Sequence, residues 1–520
     1  MRYFGINLGH DTGVAVFNHF GELDFYGECE RYGDRNKHHL HDLSSIINDF
    51  PELRIKVGDV VVLCARGNEE TIDCPLYDPN YIKFGGVKSD FLRKKMVPYF
   101  IIDHHLAHAL SSWCFRPDDA ERLFLAYDGA GPGVNQKMKS SLVGTISVSG
   151  FSIIEEAKPI ITSSVIADLL GPVSAGKAMD LAGYVNTQDI NWTDRDVVRL
   201  IDSFYEKNLY KLYEENKTYC RNPNFKDQEL NENLIKWIAN FYKFITKQIY
   251  NDVFENIKNF SHGRGVVIAG GSALALEVNT QIYNLAKDVV FGPPIDDSGL
   301  ALGAAAFGYW HINKRWPKIS TPSLNELQKP LPVLGPQTPD GVAKKIANGS
   351  VVGLLRGKAE AGPRTLGFRS ILAPAAKAEN LKLVSEDLKG REFYRPVASM
   401  VTEESFDRYF IGPRGKYMQY KVDCTKEAQE CLPAIVHKDN SARPQVVSHK
   451  DDPWLHDLLR AYGELTGHEC LINTSLNGKG KPICNTLEDA QRDFFGKNIE
   501  LISIAQPNWK NCEKYCITSM

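Results

Sequence analysis

The stretch FIIDHHLAHA (residues 100–109) passes from an apolar run directly into a pattern that is typical of a helix. The run 100–103 predicts a strand, and the following residues predict a helix that carries His104, His105 and His108. A strand that leads into a helix is a building unit of α/β folds. His104 and His108 are four residues apart, so a helix places both imidazoles on one face, where they can chelate one cation.

Short apolar runs on both sides of this stretch extend the α/β pattern. Residues 3–17 contain two such runs separated by NLGHDTG (residues 7–13), which predicts a hairpin. Further strands are predicted at residues 60–64, 123–128, 266–271, 289–294 and 351–355. An Ala- and Gly-rich helix that runs through Phe307 indicates close helix packing.

Two aspartates join the histidine pair as candidate metal ligands. Asp128 is predicted at the end of a strand, before the glycine-rich loop 129–133, and Asp297 heads another Gly-containing turn. Two His and two Asp suit iron, manganese or zinc, with open positions for water or phosphate oxygens. The alternative for a His pair at this spacing is a surface feature or a satisfied pair in the core.

Glycine-containing turns recur at the ends of predicted strands. They lie at residues 9–13, 129–133, 269–272 and 299–303. None fits the P-loop or the dinucleotide fingerprint, but each can offer backbone N–H groups to phosphates. One such turn is usually only a turn, whereas four with polar neighbours predict a nucleotide cleft between two lobes. The candidate nucleotide-binding glycines are Gly129, Gly131, Gly270 and Gly271.

The C-terminal third contains basic residues interleaved with Gly and Pro. They are Arg356, Arg364, Arg369, Lys389, Arg391 and Arg395. Arginine forks suit phosphate oxygens, and the neighbouring Gly and Pro favour fixed anion-binding loops over the alternative, a solvated charged face. A later apolar run delivers four uncharged polar side chains that can bind a ribose or an adenine edge, or can form an ordinary turn: Asn473, Thr474, Ser475 and Asn477.

Length and composition predict a multidomain soluble protein. The chain has 520 residues, of which 43% are hydrophobic and 24% charged, and a net charge of −3 gives no global field that favours nucleic acid or membrane. We find no signal segment and no run of 18 apolar residues. Eleven cysteines without a CxxC motif predict reduced thiols. We expect a cytoplasmic protein, or one in the host cytoplasm if a phage encodes it.

Several stretches together resemble the carbamoyltransferase family of antibiotic and nodulation-factor biosynthesis. The C-terminal ones are EAGPRTLGFRSILA (360–373), REFYRP (391–396) and LINTSLN (471–477). The upstream ones are DHHLAHA (103–109), DGAG (128–131), GKAM (176–179), GGSAL (270–274) and DSGLALG (297–303). They cover nearly the whole chain in the family's order. The GPR element is specific, whereas HHLAHA also occurs in threonylcarbamoyl-adenosine and hydrogenase-maturation enzymes.

This resemblance implies an α/β architecture in two parts. Residues 1–325 are expected to form an actin-like ATPase domain with two lobes, which binds metal and carries out carbamoyl transfer. A helical insertion is expected at about 190–260. A Pro-rich linker at 326–340 then leads to a YrdC-like α/β domain at 341–520, which is expected to form the carbamoyl-adenylate.

The resemblance also implies a reaction and its residues. Carbamoyl phosphate and ATP, with Mg, would give a carbamoyl-adenylate, which a hydroxyl of an acceptor then attacks. His104, His108, Asp128 and Asp297 resemble metal ligands, with iron first and manganese or zinc as alternatives. His10, Asp11 and Lys177 are the candidate catalytic residues. The expected ligands of carbamoyl phosphate are Arg364, Arg369, Lys389, Arg391 and Arg395, while Asn473, Thr474, Ser475 and Asn477 fall on the adenylate side.

The chain departs from the family at three positions. The GGxALN pattern has Ala275 in place of Asn, MGLA has Asp180 in place of Gly, and Phe368 replaces the Asn before Arg-Ser. The first two concern the N-terminal cleft, and none affects the metal ligands. Two other functions are carried as alternatives, namely a threonylcarbamoyl-type tRNA modifier and a catalytically silent nucleotide-binding module.

The partners follow from the same resemblance. The acceptor is expected to be a small hydroxylated metabolite or a hydroxymethylated pyrimidine in DNA. The basic stretch 91–95 can touch phosphate or form a solvated face. No membrane partner is expected, and the oligomeric state is left open, with a homodimer among the options.

Overall fold

The structure is a computed structural model, and it describes most of the 520-residue chain. The described residues are 1–8, 11–32, 50, 53–65, 71–73, 82–85, 99–132, 138–155, 179–180, 182–183 and 232–504. The candidate residues His10 and Lys177 and the basic stretch 91–95 lie outside them.

Within these residues the first sheet has seven strands. They are β1 (Tyr3–Asn7), β2 (Gly13–Phe17), β3 (Leu23–Glu28), β4 (Val60–Cys64), β5 (Thr71–Asp73), β6 (Ile82–Gly85) and β7 (Tyr99–Ile102). Their order is β3-β2-β1-β4-β7-β6-β5. The first three strands form an antiparallel meander, and β4 and β7 continue parallel to β1. Tyr3 pairs with Phe17, which confirms the predicted hairpin.

A second sheet repeats this arrangement. Its strands are β8 (Arg122–Pro132), β9 (Met138–Ser147), β10 (Gly150–Glu155), β11 (Gly265–Ala269) and β12 (Val289–Phe291), in the order β10-β9-β8-β11-β12. Again three antiparallel strands are followed by two strands parallel to the first of them. Two sheets with the same order are the plan of an actin-like ATPase fold, so this part of the predicted fold class is confirmed.

Two helices fill the space between the sheets. The helices of this half are α1 (His104–Trp113), α2 (Glu232–Phe260), α3 (Leu276–Ala286) and α4 (Leu300–Asn313). Helix α1 packs on β8 and β11, α4 packs on β1 and β4, and the two helices pack on each other. A Cβ at Gly303 would lie 1.8 Å from the Ala107 carbonyl oxygen, so the predicted close helix packing is confirmed.

Helix α2 corresponds to the end of the predicted helical insertion. Its apolar stripe is buried at Ile245, Ile249 and Val253, as the three- and four-residue spacing predicts. The rest of the predicted insertion, at 190–231, lies outside the described residues.

The C-terminal half is also α/β. Its helices are α5 (Pro339–Ala347), α6 (Glu379–Lys382), α7 (Phe406–Tyr409), α8 (Lys426–Cys431), α9 (Pro453–Thr466) and α10 (Leu487–Asp493). Its strands are β13 (Ser323–Asn325), β14 (Val352–Arg356), β15 (Ala359–Glu360), β16 (Arg369–Pro374), β17 (Ala398–Thr402), β18 (Phe410–Ile411), β19 (Val422–Cys424), β20 (Ser441–Ala442), β21 (Pro444–Val447), β22 (Cys470–Ser475) and β23 (Glu500–Ile504).

The main C-terminal sheet is mixed and has the order β21-β17-β22-β16-β14-β23. Helices α5 and α9 bury their apolar faces on one side of it, through residues such as Ile346 and Leu458. A six-stranded mixed sheet with helices packed on it agrees with the predicted YrdC-like α/β domain.

The Pro-rich segment between the halves is packed against both. The backbone N–H of Glu326, at its start, donates to the Tyr26 carbonyl oxygen at 2.9 Å. Leu331 is buried, and Leu334 pairs with Ser503 through their backbones. The segment therefore fastens the two halves in addition to connecting them. The domain limits of 1–325, 326–340 and 341–520 remain predictions.

Two predictions from composition concern the whole chain. In the part that the structure describes, we find no helix with the length and apolar character needed to cross a bilayer. The seven described cysteines form no disulfide with one another, and the reduced state of all eleven stays a prediction.

The contact between α1 and α4 predicts a stability effect. Replacing Gly303 by Ala places a methyl group against the Ala107 carbonyl and should cost about 1–3 kcal/mol, as overpacking does. Gly308→Ala on the same helix is the control, because its nearest neighbour is the Val62 side chain at 3.1 Å. Thermal unfolding should show a lower midpoint for Gly303→Ala, and equal midpoints for both variants would contradict the contact.

Candidate active site

Four side chains converge between α1, β8 and the turn before α4. His104 Nε2 lies 2.9 Å from Asp128 Oδ2, and His108 Nε2 lies 3.2 Å from Asp297 Oδ1. The two Nε2 atoms are 3.1 Å apart. All four ligand atoms lie within 4.8 Å of one another. The structure thus brings together the four residues that the sequence predicts as metal ligands.

Local capping explains why these side chains point inward. Asp103 accepts hydrogen bonds from the backbone N–H groups of His105 and Leu106, so α1 begins at His104. Asp296 accepts from the N–H and hydroxyl of Ser298, which shapes the turn that presents Asp297. Both helix starts therefore carry one aspartate that caps the backbone and leave the next residue for the cluster.

The pair Gly270-Gly271 has a steric role beside Asp128. A Cβ at Gly270, where φ is +91°, would lie 2.0 Å from the Tyr127 carbonyl oxygen. A Cβ at Gly271 would lie 2.8 Å from Asp128 Oδ1. Only residues without a side chain allow this close approach. Nucleotide binding by these two glycines remains a proposal.

The predicted loop at residues 129–133 is corrected by the structure. Strand β8 continues to Pro132, with a shift in register between Tyr127 and Gly131, and Gly131 pairs with Lys139 of β9. Gly129 and Gly131 therefore lie in a strand, because ladder pairing with β9 extends past Asp128. Residue 133 lies outside the described part.

The two carboxylates of this four-residue cluster carry more negative charge than two neutral imidazoles can balance. Burial lowers the pKa of His104, but Asp297 and Asp128 outweigh it and raise the pKa to about 10. The pKa of the Asp128 carboxyl is well below its usual value despite burial, because His104 and His108 donate to it. Two imidazole nitrogens and two carboxylate oxygens form a donor set that suits iron, manganese or zinc. The group can hold one divalent cation.

A cavity of about 320 Å³ lies between the two halves of the chain. Asp180, Tyr242 and Glu277 line it from the N-terminal half. Six cationic side chains line it from the C-terminal half, namely Arg364, Arg391, Arg395, Arg443, Lys421 and Lys438. We call it the arginine cavity.

The arginine cavity concentrates buried positive charge. Burial, with repulsion from neighbouring guanidinium groups, lowers the pKa of Arg391 to about 10 and also lowers that of Arg364 and Arg443. Arg443 Nε is buried with no hydrogen-bond partner among the described residues. A buried N–H donor without a partner costs about 1–3 kcal/mol, which a bound oxyanion would recover.

Arg369 is the exception among the predicted phosphate ligands. It is 0% exposed, and its guanidinium donates to the backbone carbonyls of Arg356, Gly357, Phe368 and Asn485. These contacts use all five N–H donors of the side chain. The predicted role of Arg369 in binding carbamoyl phosphate is therefore wrong, and Arg369 instead fixes the loops around it.

A second polar cluster surrounds Lys389. Its ammonium group donates to Ser475 Oγ at 3.0 Å and to Asn477 Oδ1 at 2.5 Å. Burial, with a contribution from Arg391, lowers the pKa of Lys389 well below its usual value. Asn473 and Thr474 are buried within β22, where the Asn473 amide donates to Gln445 Oε1. Ser475 and Asn477 thus meet Lys389, whereas the other two predicted adenylate residues belong to the sheet.

The sequence analysis did not predict one arginine of the cavity, Arg443. Arg443 lines the arginine cavity and precedes Pro444 as Arg395 precedes Pro396, so the same Arg-Pro signal was present. Of the predicted catalytic residues, Asp11 has a left-handed φ of +52°, and its carbonyl accepts from Asn7 Nδ2 at 3.1 Å.

Hydrogen bonds join the metal-ligand cluster to the arginine cavity. Glu28 Oε1 accepts from the backbone N–H of Gly362 at 2.7 Å, two residues before Arg364. The Tyr26 hydroxyl lies 3.1 Å from the same Oε1 and 2.9 Å from the carbonyl oxygen of Ser298, next to Asp297. A Cβ at Gly362, where φ is +87°, would lie 2.3 Å from the Pro293 carbonyl. Hydrogen bonds therefore link the turn that presents Asp297 to the loop that leads to Arg364.

Comparison with known protein families identifies the family of this chain. The family described as "Carbamoyltransferase N-terminus" matches residues 66–306, and "Carbamoyltransferase C-terminus" matches residues 343–509. The chain belongs to the carbamoyltransferase family. It is therefore an enzyme that transfers a carbamoyl group, as the sequence motifs predict.

Individual relatives span most of this carbamoyltransferase. Protein MJ1058 of Methanocaldococcus jannaschii is 28% identical, over 78% of this chain and 72% of its own. Nodulation protein U of Rhizobium tropici is 26% identical, over 92% of both chains. Among solved structures, full-length HypF in its phosphate- and nucleotide-bound form matches 60% of this chain and 47% of its own, with 14% identity and a TM-score of 0.33.

Removing one ligand tests the metal group. The variant His108→Ala should bind divalent iron, manganese or zinc more than about 100-fold more weakly, since even outer-shell changes cost about 10- to 100-fold. Metal content after dialysis against a weak chelator measures this. The control is His449→Ala, whose side chain is 65% exposed. Equal metal content in both variants would contradict the assignment.

The pH dependence of metal affinity tests the electrostatics. Because the pKa of His104 is raised to about 10, the metal-free imidazole is protonated near neutral pH and must lose that proton to bind a cation. Affinity should therefore rise from about pH 6 to about pH 9. Calorimetry in buffers of different ionisation enthalpy should show proton release at about pH 7. Affinity that is constant over this range would contradict the coupling.

Proposed function

We propose that this carbamoyltransferase is ATP-dependent and forms a carbamoyl-adenylate from carbamoyl phosphate before transfer to a hydroxyl. The observation that carries the proposal is the arginine cavity, which gathers four guanidinium groups and whose loop at Gly362 is linked through Glu28 and Tyr26 to the turn that presents Asp297. One site suits the phosphates of both substrates, and the adjacent site suits the transfer step. Mg accompanies ATP.

The arginines would bind and orient the phosphates. Arg364, Arg391 and Arg443 offer charged N–H donors at the cavity wall, which suit phosphate oxygens. Holding both substrates there brings the reacting groups together. In the first step, one water molecule hydrolyses carbamoyl phosphate to carbamate and phosphate. In the second step, a carbamate oxygen attacks the α-phosphorus of ATP, and pyrophosphate leaves.

The cluster of Lys389, Ser475 and Asn477 is proposed for the nucleotide side. The three side chains already form one hydrogen-bonded group, and the charge of Arg391, which lines the cavity, acts on Lys389. The ammonium group already donates to the backbone and side-chain oxygens of Ser475 and Asn477, so a phosphate oxygen would replace one of these acceptors.

Transfer is proposed at the metal-ligand cluster. There an acceptor hydroxyl oxygen attacks the carbamoyl carbon, the bond to the AMP oxygen breaks, and a base takes the hydroxyl proton. His104, His108, Asp128 and Asp297 would hold the cation, with iron proposed first, and a bound cation would supply Lewis acidity. His10, Asp11 and Lys177 are proposed as the catalytic side chains. Asp11 lies between β1 and β2, two residues before β2 begins.

The acceptor is proposed to be a hydroxylated metabolite, with a hydroxymethylated pyrimidine in DNA as the other candidate. Incubation with ATP, carbamoyl phosphate, Mg and iron, followed by mass spectrometry of a panel of both kinds, identifies the acceptor by its gain of one carbamoyl group. Threonylcarbamoylation of tRNA in the same assay would instead support the tRNA-modifying alternative.

Exchange of labelled pyrophosphate into ATP tests the adenylate step. Exchange that depends on carbamoyl phosphate is expected in the wild type and should fall by about 100-fold or more in Arg364→Ala, as when a transition-state donor is removed. Thermal stability should change little in this variant. Arg369→Ala should instead lower the unfolding midpoint, because it leaves buried carbonyls unpaired.

Arg414→Ala is the control, because Arg414 lies in an exposed ion pair with Asp407. Wild-type protein without exchange under any of the three metals would overturn the adenylate route.

A further inference from the structure

The arginine cavity contains a carboxylate, Asp180, that comes from the N-terminal half. Its Oδ2 accepts from Arg395 Nε at 2.9 Å, although the two residues are 215 positions apart. The other two carboxylates of the cavity wall, Glu277 and Asp439, each pair with Lys421 at 2.7 Å. Asp180 is therefore the lining carboxylate that is paired with an arginine.

Asp180 also acts on the other arginines of the cavity. Burial lowers the pKa of Arg364, Arg391 and Arg443, and the negative charge of Asp180 opposes this decrease at each of them. Several guanidinium groups in one partly buried space repel one another unless an anion lies among them. In the protein without ligand, Asp180 supplies this anion.

We propose that Asp180 is a specificity-determining residue that competes with the anionic groups of the ligand for Arg395 and so limits how tightly the cavity holds phosphates. The inference rests on the proposed function, which assigns the cavity to phosphate-bearing substrates and products. A phosphate that reaches Arg395 must displace Asp180 or lie beside a like charge, and either event weakens binding.

The competition affects ligands in proportion to their charge. Pyrophosphate carries more negative charge than carbamoyl phosphate, so repulsion from Asp180 weakens the binding of pyrophosphate more. A cavity of four arginines without such a carboxylate would retain its most highly charged product. Asp180 thereby favours product release over product retention.

A calorimetric titration of inorganic pyrophosphate into the full-length protein tests the proposal. Asp180→Asn keeps the size of the side chain and removes its charge, so it should bind pyrophosphate at least about tenfold more tightly, which corresponds to about 1.4 kcal/mol. Asp407→Asn is the matched control. It changes the net charge equally, but Asp407 is 77% exposed and pairs with Arg414, so its affinity should equal that of the wild type.

Kinetics of carbamoyl-phosphate-dependent turnover separate this role from a structural one. Asp180→Asn should lower the KM for carbamoyl phosphate and the inhibition constant for inorganic phosphate, while kcat falls because product leaves more slowly. A merely structural role would lower kcat and leave both constants unchanged or higher. Asp180→Ser provides a second uncharged variant should the Asn variant fail to fold, and it should shift both constants in the same direction.

The outcomes distinguish this inference from the proposed function. If the wild type binds pyrophosphate and both uncharged variants bind it equally or more weakly, the competition is overturned while the phosphate site stands. If none of the three proteins binds pyrophosphate or phosphate, the cavity is not an anion site and the proposed function fails with it. Tighter binding by the Asp180 variants, with Asp407→Asn unchanged, supports the proposal.

Discussion

A buried ion pair between Glu28 and Arg31 fastens the two halves of this carbamoyltransferase. Arg31 Nε donates to Glu28 Oε2 at 2.9 Å, and Arg31 Nη2 donates to the Gly362 carbonyl at 2.8 Å. Glu28 in turn accepts from the Gly362 N–H and from Asn325. Both charges are buried and their hydrogen bonds cross from one half to the other. Removing one partner would leave an uncompensated buried charge, which costs about 3–5 kcal/mol.

This ion pair holds a turn that carries carboxylates near a loop that carries an arginine. The turn that ends at Asp297 carries carboxylates, and the loop that begins at Gly362 carries Arg364, whose charge interacts with that of Asp296. A cation in one site and an anion in the other are both favoured by the protein charges already there.

The predictions from sequence succeeded where the signal is local and failed where it is not. The four-residue spacing of His104 and His108 is a property of a single helix, so it was readable directly. Arg364 and Arg369 belong to the same motif and are the same residue type, yet one lines the cavity and the other is enclosed by carbonyls. Whether the N–H donors of an arginine are already bound to carbonyl groups depends on loops that are distant in sequence, such as the one that contains Asn485.

The sequence by itself determined the alternation of strands and helices, the hairpin that begins the first sheet and the four residues that converge as candidate metal ligands. These features depend on periodicity and on short spacings, which backbone geometry converts directly into structure. Only the tertiary structure decided that Asp180 meets Arg395, that Arg443 joins the cavity and that Gly129 and Gly131 lie in a strand. Such contacts depend on which segments are brought together when the two halves pack, and no local pattern carries that information.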